Sequence, residues 1–597
     1  MTVFTTRPVI MGSRGVVTSG HYLATVAGFR VMEGGGNAID AAAAMCFCVN
    51  LLEPQMNGIG GEVPTLIYSA KDAKTYAISG MGWSPSALTI EWCQQNDIDA
   101  IPGDGYLPAC VPSVVDTWAL ALARFGTMTL SQILQPAIEL AENGFPLDQE
   151  LHETLLRSRQ KFTEHYPTTA HVYYPDDLVP EVGNFVRNPD LARTLRLMCS
   201  SEKDAGRKGR VAGIEAARDV FYKGEIAERI IEFIGSNPVE DATGQAHAGL
   251  LSYEDMADWR ATVEDPVKMT YQGLDVYKCP PWTQGPVFLQ QLGILEGFEL
   301  GDMGHNSSDY LHVLIETAKL AFADREAYYG DPLFDDVPLE ILLSAHYSEK
   351  RRSLIGDKAS MDLRPGDVGR GVVDYLSKVS RSSNKADKDE DVARDYGLGG
   401  AHVGDTTHLD AVDAEGNMVS ATPSGGWIGT SPVIRGLGFP IGTRGQMFYL
   451  DPDRPNALAP RKRPRATLTP SIVTKGSEPF MAFGTPGGDG QDQWTLQFFL
   501  NQIEFGMNIQ EAIDAPTVTS LHFPSSFYPR DSYPGRVVVE SRVPGKVRSE
   551  LQKRGHEVTV AGPWTNGKVM GIAIDRGKGL ISGGASPRRH VAYAIGW

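Results

Sequence analysis

The sequence predicts a mixed α/β fold, and three observations lead there. Apolar residues recur at helical spacing in some stretches, as at Leu23, Val26, Ala27, Phe29 and Val31. Elsewhere short apolar runs stand between turn residues, as at Val16–Ser19 and in PFMAF before Gly484. Of the 597 residues, 42% are hydrophobic and 21% charged, an ordinary globular balance over a length that calls for several domains' worth of core.

Taken in order, Val16–Ser19 reads as a strand and His21–Glu33 as a helix. Gly34-Gly35-Gly36-Asn37 stops that helix and starts the next, Ala38–Leu52, which is apolar nearly all round and therefore expected to be buried. Asn57, Gly58, Gly60 and Gly61 read as a loop of exposed backbone amides, able to bind an anion or simply to pack tightly, before the strand Pro64–Tyr68. Arg124–Gly144 and most of Leu191–Phe233 are helical. ARDVFYKGEIAERIIEFI is amphipathic and reads as one surface helix. The helix around Tyr310–Tyr329 ends in FADREAYYGDP, read as an exposed helix end with i,i+4 charges. Ser380–Tyr396 is almost all charged and polar, a mobile linker or an ordinary surface loop. Gln493–Phe505 is a helix, and Val537–Val560 a strand–helix–strand end.

The chemistry concentrates in Gly404–Gly426, GDTTHLDAVDAEGNMVSATPSGG. His408–Val412 and Met418–Thr422 read as the arms of a hairpin turning at Ala414–Asn417. With the turn centred on Glu415, Ser424 falls opposite Thr406. A threonine hydroxyl needs a base, and a cut between Asp405 and Thr406 would supply one, the new α-amine, with an ordinary pKa of about 8. Ser424 would orient the Thr406 oxygen. A polar hairpin without chemistry fits the same residues. After the apolar run, Gly484-Thr485-Pro486-Gly487-Gly488 offers backbone N–H groups for an oxyanion hole, or a tight turn.

Four stretches together resemble the γ-glutamyltranspeptidase family of N-terminal nucleophile hydrolases. They are GGGNAIDAAAA (Gly34–Ala44) with EPQMNGIGGE (Glu53–Glu62), the TTH hairpin, KRPRATLTPSIV (Lys462–Val473) and FGTPGGDGQ (Phe483–Gln491), in the family's order. The resemblance implies a four-layer αββα sandwich. It implies self-cleavage into 1–405, with 380–396 as linker, and 406–597, the two forming one catalytic unit whose further oligomerisation stays open. It implies Thr406 as nucleophile, Ser424 as its partner, Gly487 and Gly488 as oxyanion donors, and no cofactor or metal. Substrate-binding positions carried over or placed beside the pocket are Thr407, His408, Gly425, Gly426, Arg444, Arg463, Thr467, Met81 and Phe448.

The chain also departs from the family. Met81 and Gly82 stand where an Arg-Glu pair grips the substrate α-carboxylate, and Phe448 and Tyr449 stand where an Asp pair holds the α-ammonium. Methionine cannot replace a bidentate guanidinium. The family's paired serines become Ala466 and Thr467. The expected activity is therefore an autoprocessing amide hydrolase or acyltransferase acting on a small amide that is not a standard γ-glutamyl compound. The alternatives are a genuine γ-glutamyltransferase and an uncleaved, non-catalytic binding relative.

Charge and composition set limits. A net charge of −18 argues against nucleic-acid and anionic-membrane partners. The start lacks a basic stretch followed by an apolar one, and no run of 18 apolar residues exists, so a cytoplasmic location is expected. The six scattered cysteines read as reduced, structural thiols.

Overall fold

A computed structural model describes residues 4–371 and 405–597. The linker expected at 380–396 lies outside the described residues. Two seven-stranded sheets, antiparallel in every pairing, stack face to face. One runs Ile10–Gly12, Leu580–Ala585, Met570–Asp575, Glu478–Gly484, Ser471–Lys475, Leu274–Lys278, Val267–Tyr271. The other runs Tyr593–Gly596, Gly15–Ser19, Leu409–Asp413, Met418–Ala421, Thr65–Ser69, Lys74–Ile78, Val263–Glu264. Between them lies an apolar layer that includes Val16, Leu66, Val412, Met418, Ile472, Ala482 and Ile572. Helices cover both outer faces, so the four-layer αββα arrangement holds.

Each layer forms for a local reason. Ala38–Leu52 is buried along its whole length, as its small apolar residues require. Asn37 and Asp40 close its N-terminus as a capping box. Asp40 also accepts from the backbone N–H of Thr127 and Met128 and from the Thr127 hydroxyl, at 2.6–3.2 Å, tying the next helix start, Leu130–Asn143, to this one. On the other outer face Pro286–Leu295, Ser308–Tyr328 and Gln491–Ile503 share a core with Val473, Met481 and Phe483 of the sheet.

Both sheets mix strands from either side of residue 405. Leu409–Asp413 pairs with Gly15–Ser19, Met418–Ala421 with Thr65–Ser69, and Ser471–Lys475 with Leu274–Lys278. Neither of the two large sheets is complete without strands from both parts.

Three sequence expectations need correction. The supposed single surface helix is two, Arg210–Tyr222 and Glu225–Ser236, interrupted at Lys223-Gly224, where the backbone of Gly224 is extended. Ile226, Ile230 and Ile234 of the second are buried. The charged FADR end is not exposed. Asp324 and Arg325 are fully buried, and Arg325 donates to Gln284 Oε1 (2.8 Å), to the Pro524 carbonyl (3.1 Å) and to Asp489. The i,i+4 pattern could not reveal this, because the charges are satisfied by residues far away in the chain. The Asn57–Gly61 loop is buried and its amides are used in packing rather than exposed: Asn57 N–H donates to the Glu53 carbonyl and Gly61 N–H to the Gly58 carbonyl. No helix among the described residues is long and apolar enough to cross a membrane.

The Asp40 hub yields a stability test. Asp40→Ala removes a cap worth about 1 kcal/mol and strands further donors, so unfolding should become easier by about 1–3 kcal/mol. Denaturant unfolding at neutral pH measures this; an unchanged midpoint would show that the hub is not energetically coupled.

Candidate active site

The hairpin register runs without a bulge. Leu409 faces Ala421 and Val412 faces Met418, and an isolated antiparallel bridge extends the same register to Thr406 and Ser424. Their hydroxyl oxygens lie 3.1 Å apart, both buried. The expected juxtaposition is therefore present.

Ser424 is held from beneath by the EPQMNGIGGE loop. Its N–H donates to the Glu62 carbonyl (2.9 Å), and Glu62 N–H donates to the Ser424 carbonyl (2.8 Å). Gly425 follows with a left-handed backbone (φ +70°), and a Cβ there would lie 2.2 Å from the Glu62 carboxylate. Only glycine leaves room for that carboxylate. Gly426 packs in the same way on Gly58 and Gly61.

Arg444 completes the group. Its Nε donates to Glu62 Oε1 (2.6 Å) and its Nη2 to Ser424 Oγ (2.6 Å). Burial pushes the Glu62 carboxyl up from its ordinary range, and Arg444 opposes that shift. The guanidinium lies over the Trp427 ring (4.8 Å) and near Phe527 (5.8 Å). An arginine cannot accept, so Ser424 receives its hydrogen and keeps its own proton to give away.

Thr407 and His408 do not join this group. Strand alternation sends the Thr407 hydroxyl to the opposite face, toward Glu53 and Gly20. His408 is fully buried between the sheets, its Nδ1 3.0 Å from Thr422 Oγ1 and its Nε2 2.9 Å from Asp410 Oδ1, with both nitrogens engaged. Arg463 is likewise a structural tether. It forks onto Asp331 (3.0 and 2.7 Å) and reaches Glu264 Oε1 (2.7 Å). Thr467 is buried, and its hydroxyl has no hydrogen-bond partner among the described residues.

The two departures from the family are built into apolar packing. Met81 lies in the layer between the sheets with Cys279, Trp282 and Ala466. Phe448 fills a separate cluster with Leu88, Ile98, Leu107 and Leu458, so it does not face substrate. Tyr449 donates to Glu326 Oε2 (2.6 Å), and the guanidinium groups of Arg454 and Arg530 stack over its ring, each 4.0 Å from the centroid. Cations therefore flank Tyr449, one of the two residues that stand where the family pattern has an acidic pair.

The Gly487-Gly488 pair follows the strand Glu478–Gly484, whose last residue abuts the His408 ring. Both glycines have left-handed backbones (φ +117° and +51°). Asp489 anchors a covering segment, accepting from Ser526 N–H (2.8 Å) and Ser526 Oγ (2.7 Å), which brings Phe527 against Gly488 and Trp427.

Sequence reasoning missed Trp427, Phe527, Glu53 and Arg589. Arg589 Nη2 lies 2.6 Å from Glu53 Oε1, and its Nη1 donates to the Thr406 carbonyl (3.4 Å). Nothing in the local sequence announces a C-terminal arginine reaching back to this strand.

Among the described residues, one cluster elsewhere has metal-ligand types: His312, Glu316 and His556. Its carboxylate is already engaged by Lys319 (2.6 Å) and Arg364 (3.1 Å), and these two cations oppose a third. The cysteines are all free thiols.

Comparison with known proteins follows this geometry. The sequence model of the gamma-glutamyltranspeptidase family matches residues 24–596. The glutathione hydrolase-like YwrD proenzyme of Bacillus subtilis is 31% identical over 97% of this chain and 98% of its own length. The acylase ACY 1 proenzyme of Pseudomonas sp. (strain SE83) is 30% identical over 96% and 92%. The solved structure of a cephalosporin acylase from Bacillus halodurans superposes with a TM-score of 0.82 at 30% identity, covering 100% of this chain and 98% of that one.

Glu53 makes the stability of the fold pH-dependent. Burial pushes its carboxyl up to about 7 against the pull of Arg589. The folded chain thus holds this proton more tightly than the unfolded chain. The resulting stabilisation is full below the ordinary glutamate range and is lost as pH rises through about 7. Across that window it amounts to about 3 kcal/mol. Glu53→Gln should flatten the fall in stability between pH 5 and 7, read by denaturant unfolding at each pH (a range of about two units suffices). An identical slope in both proteins would contradict the assignment.

Proposed function

The chain belongs to the γ-glutamyltranspeptidase family, and from that premise we propose that it is an autoprocessing amide hydrolase or acyltransferase with Thr406 as its nucleophile. The observation that carries the reading is the 3.1 Å approach of the Thr406 and Ser424 hydroxyls at the mouth of the hairpin. Cleavage of Asp405–Thr406 frees the α-amine of Thr406, which serves as base. The hydroxyl then attacks a substrate carbonyl. Ser424, polarised by the 2.6 Å hydrogen bond it accepts from Arg444, gives its own hydrogen to the Thr406 oxygen and orients it. The N–H groups of Gly487 and Gly488 receive the developing oxyanion. The amine leaves with a proton, and water or a second amine releases the acyl group. Residues 1–405 and 406–597 stay together because both large sheets contain strands of each part.

The substrate follows from the charges. Apolar Met81 and Phe448 leave no clamp for an amino-acid zwitterion. Arg530, whose guanidinium lies over the Tyr449 ring, favours an acyl group carrying one carboxylate and no ammonium. The acylase and cephalosporin acylase relatives are consistent with an acyl group other than γ-glutamyl.

Two outcomes check this. Wild-type protein should show two chains by intact mass, divided at 405/406, whereas Thr406→Ala should remain a single inactive chain; an uncut wild type that still turns over substrate would refute the mechanism. γ-Glutamyl-p-nitroanilide should be a poorer substrate than a glutaryl anilide or oxamate. A γ-glutamyl kcat/KM of about 10⁴ M⁻¹s⁻¹ or more would mean that another part of the chain supplies the clamp.

A further inference from the structure

We propose that Trp427 is a catalytic residue of the self-cleavage: its indole N–H, together with the Ser424 hydroxyl, forms the oxyanion hole for the Asp405 carbonyl oxygen. The inference rests on the reading that the chain cuts itself at Asp405–Thr406, and it supplies the group that bears the charge of that reaction.

The geometry is direct. Trp427 Nε1 donates to the Asp405 carbonyl oxygen at 2.7 Å, and Ser424 Oγ donates to the same oxygen at 3.0 Å. Two donors already bonded to the ground-state carbonyl oxygen are placed to bear the charge that develops on it. The indole is held in place. Its N–H is shared with the Met56 carbonyl (2.8 Å), its ring is buried, and Arg444 lies on its face. Met56 belongs to the same loop that supports Ser424, so one backbone segment positions both donors. Ser424 already accepts from Arg444, so its hydrogen is available for Asp405.

The reaction runs as an N-to-O acyl shift. Thr406 Oγ forms a bond to the Asp405 carbonyl carbon while its proton passes to water. The carbonyl electron pair moves onto oxygen, where Trp427 and Ser424 hold it. Collapse breaks the C–N bond, and the nitrogen takes a proton to become the α-amine of Thr406. The Asp405 ester that remains is hydrolysed by water to a carboxylate and the free Thr406 hydroxyl. Gly487 and Gly488 are assigned to the later reaction with substrate, so the two reactions use different donors around one nucleophile. Ser424 is common to both, and Trp427 is assigned to the first.

The test follows precursor conversion after cell-free synthesis of the full chain, by intact mass. Trp427→Phe keeps a ring and removes the donor. Cleavage should slow by about 10²–10³-fold, the cost of one oxyanion donor. Replacing Trp427 by β-(3-benzothienyl)alanine keeps the bicyclic shape and lacks the N–H, and should slow cleavage equally. That second substitution decides the matter if Trp427→Phe fails to fold. Cleavage of the benzothienyl protein at the wild-type rate overturns the proposal while leaving self-cleavage intact. A wild-type chain that never cuts removes the underlying reading instead, and this inference with it.

Discussion

The reciprocal backbone pair between Glu62 and Ser424 is the constraint on which the site depends. It joins the Gly-rich loop after the buried helix Ala38–Leu52 to the far end of the hairpin. The Glu62 side chain then holds Arg444, and Arg444 holds the Ser424 hydroxyl. Loss of the carboxylate would leave a buried guanidinium uncompensated, which is expensive in a dry interior. The packing of Gly425 on that carboxylate shows how little space the arrangement leaves.

A second consequence is that the site is assembled from both sides of residue 405. Glu53, Met56 and Glu62 come from before it; Thr406, Ser424, Trp427, Arg444 and Arg589 come from after it. Both large sheets contain strands from each side of that position, so the proposed cut at 405/406 would leave their paired strands in place.

The specificity proposed above rests on what the apolar layers exclude. In the family pattern, charged groups at two positions hold an amino-acid zwitterion. Here Met81 joins the layer between the sheets and Phe448 joins a satellite core. Neither position can take a charge without unpicking that packing. The cations that remain near the covering segment are partly compensated: Arg325 by Asp489 and Glu326, and Arg465 by Glu326.

The sequence by itself determined the hairpin, its register and the buried helix beside it. These depend on local periodicity and turn chemistry: alternation around Ala414–Asn417 puts Ser424 opposite Thr406 to within the one residue a bulge could shift, and the small apolar residues of Ala38–Leu52 suit a buried helix. The family motifs carried the four-layer architecture with them. Only the tertiary structure decided which charges serve the site. Arg444 and Arg463 look alike in sequence, yet one reaches Ser424 and the other is locked between Asp331 and Glu264. FADR looked solvated and is buried, and Arg589 gave no signal at all. The physical reason is the same in each case: an ion pair is satisfied by partners tens to hundreds of residues away, and no local pattern encodes where a guanidinium will find its carboxylate.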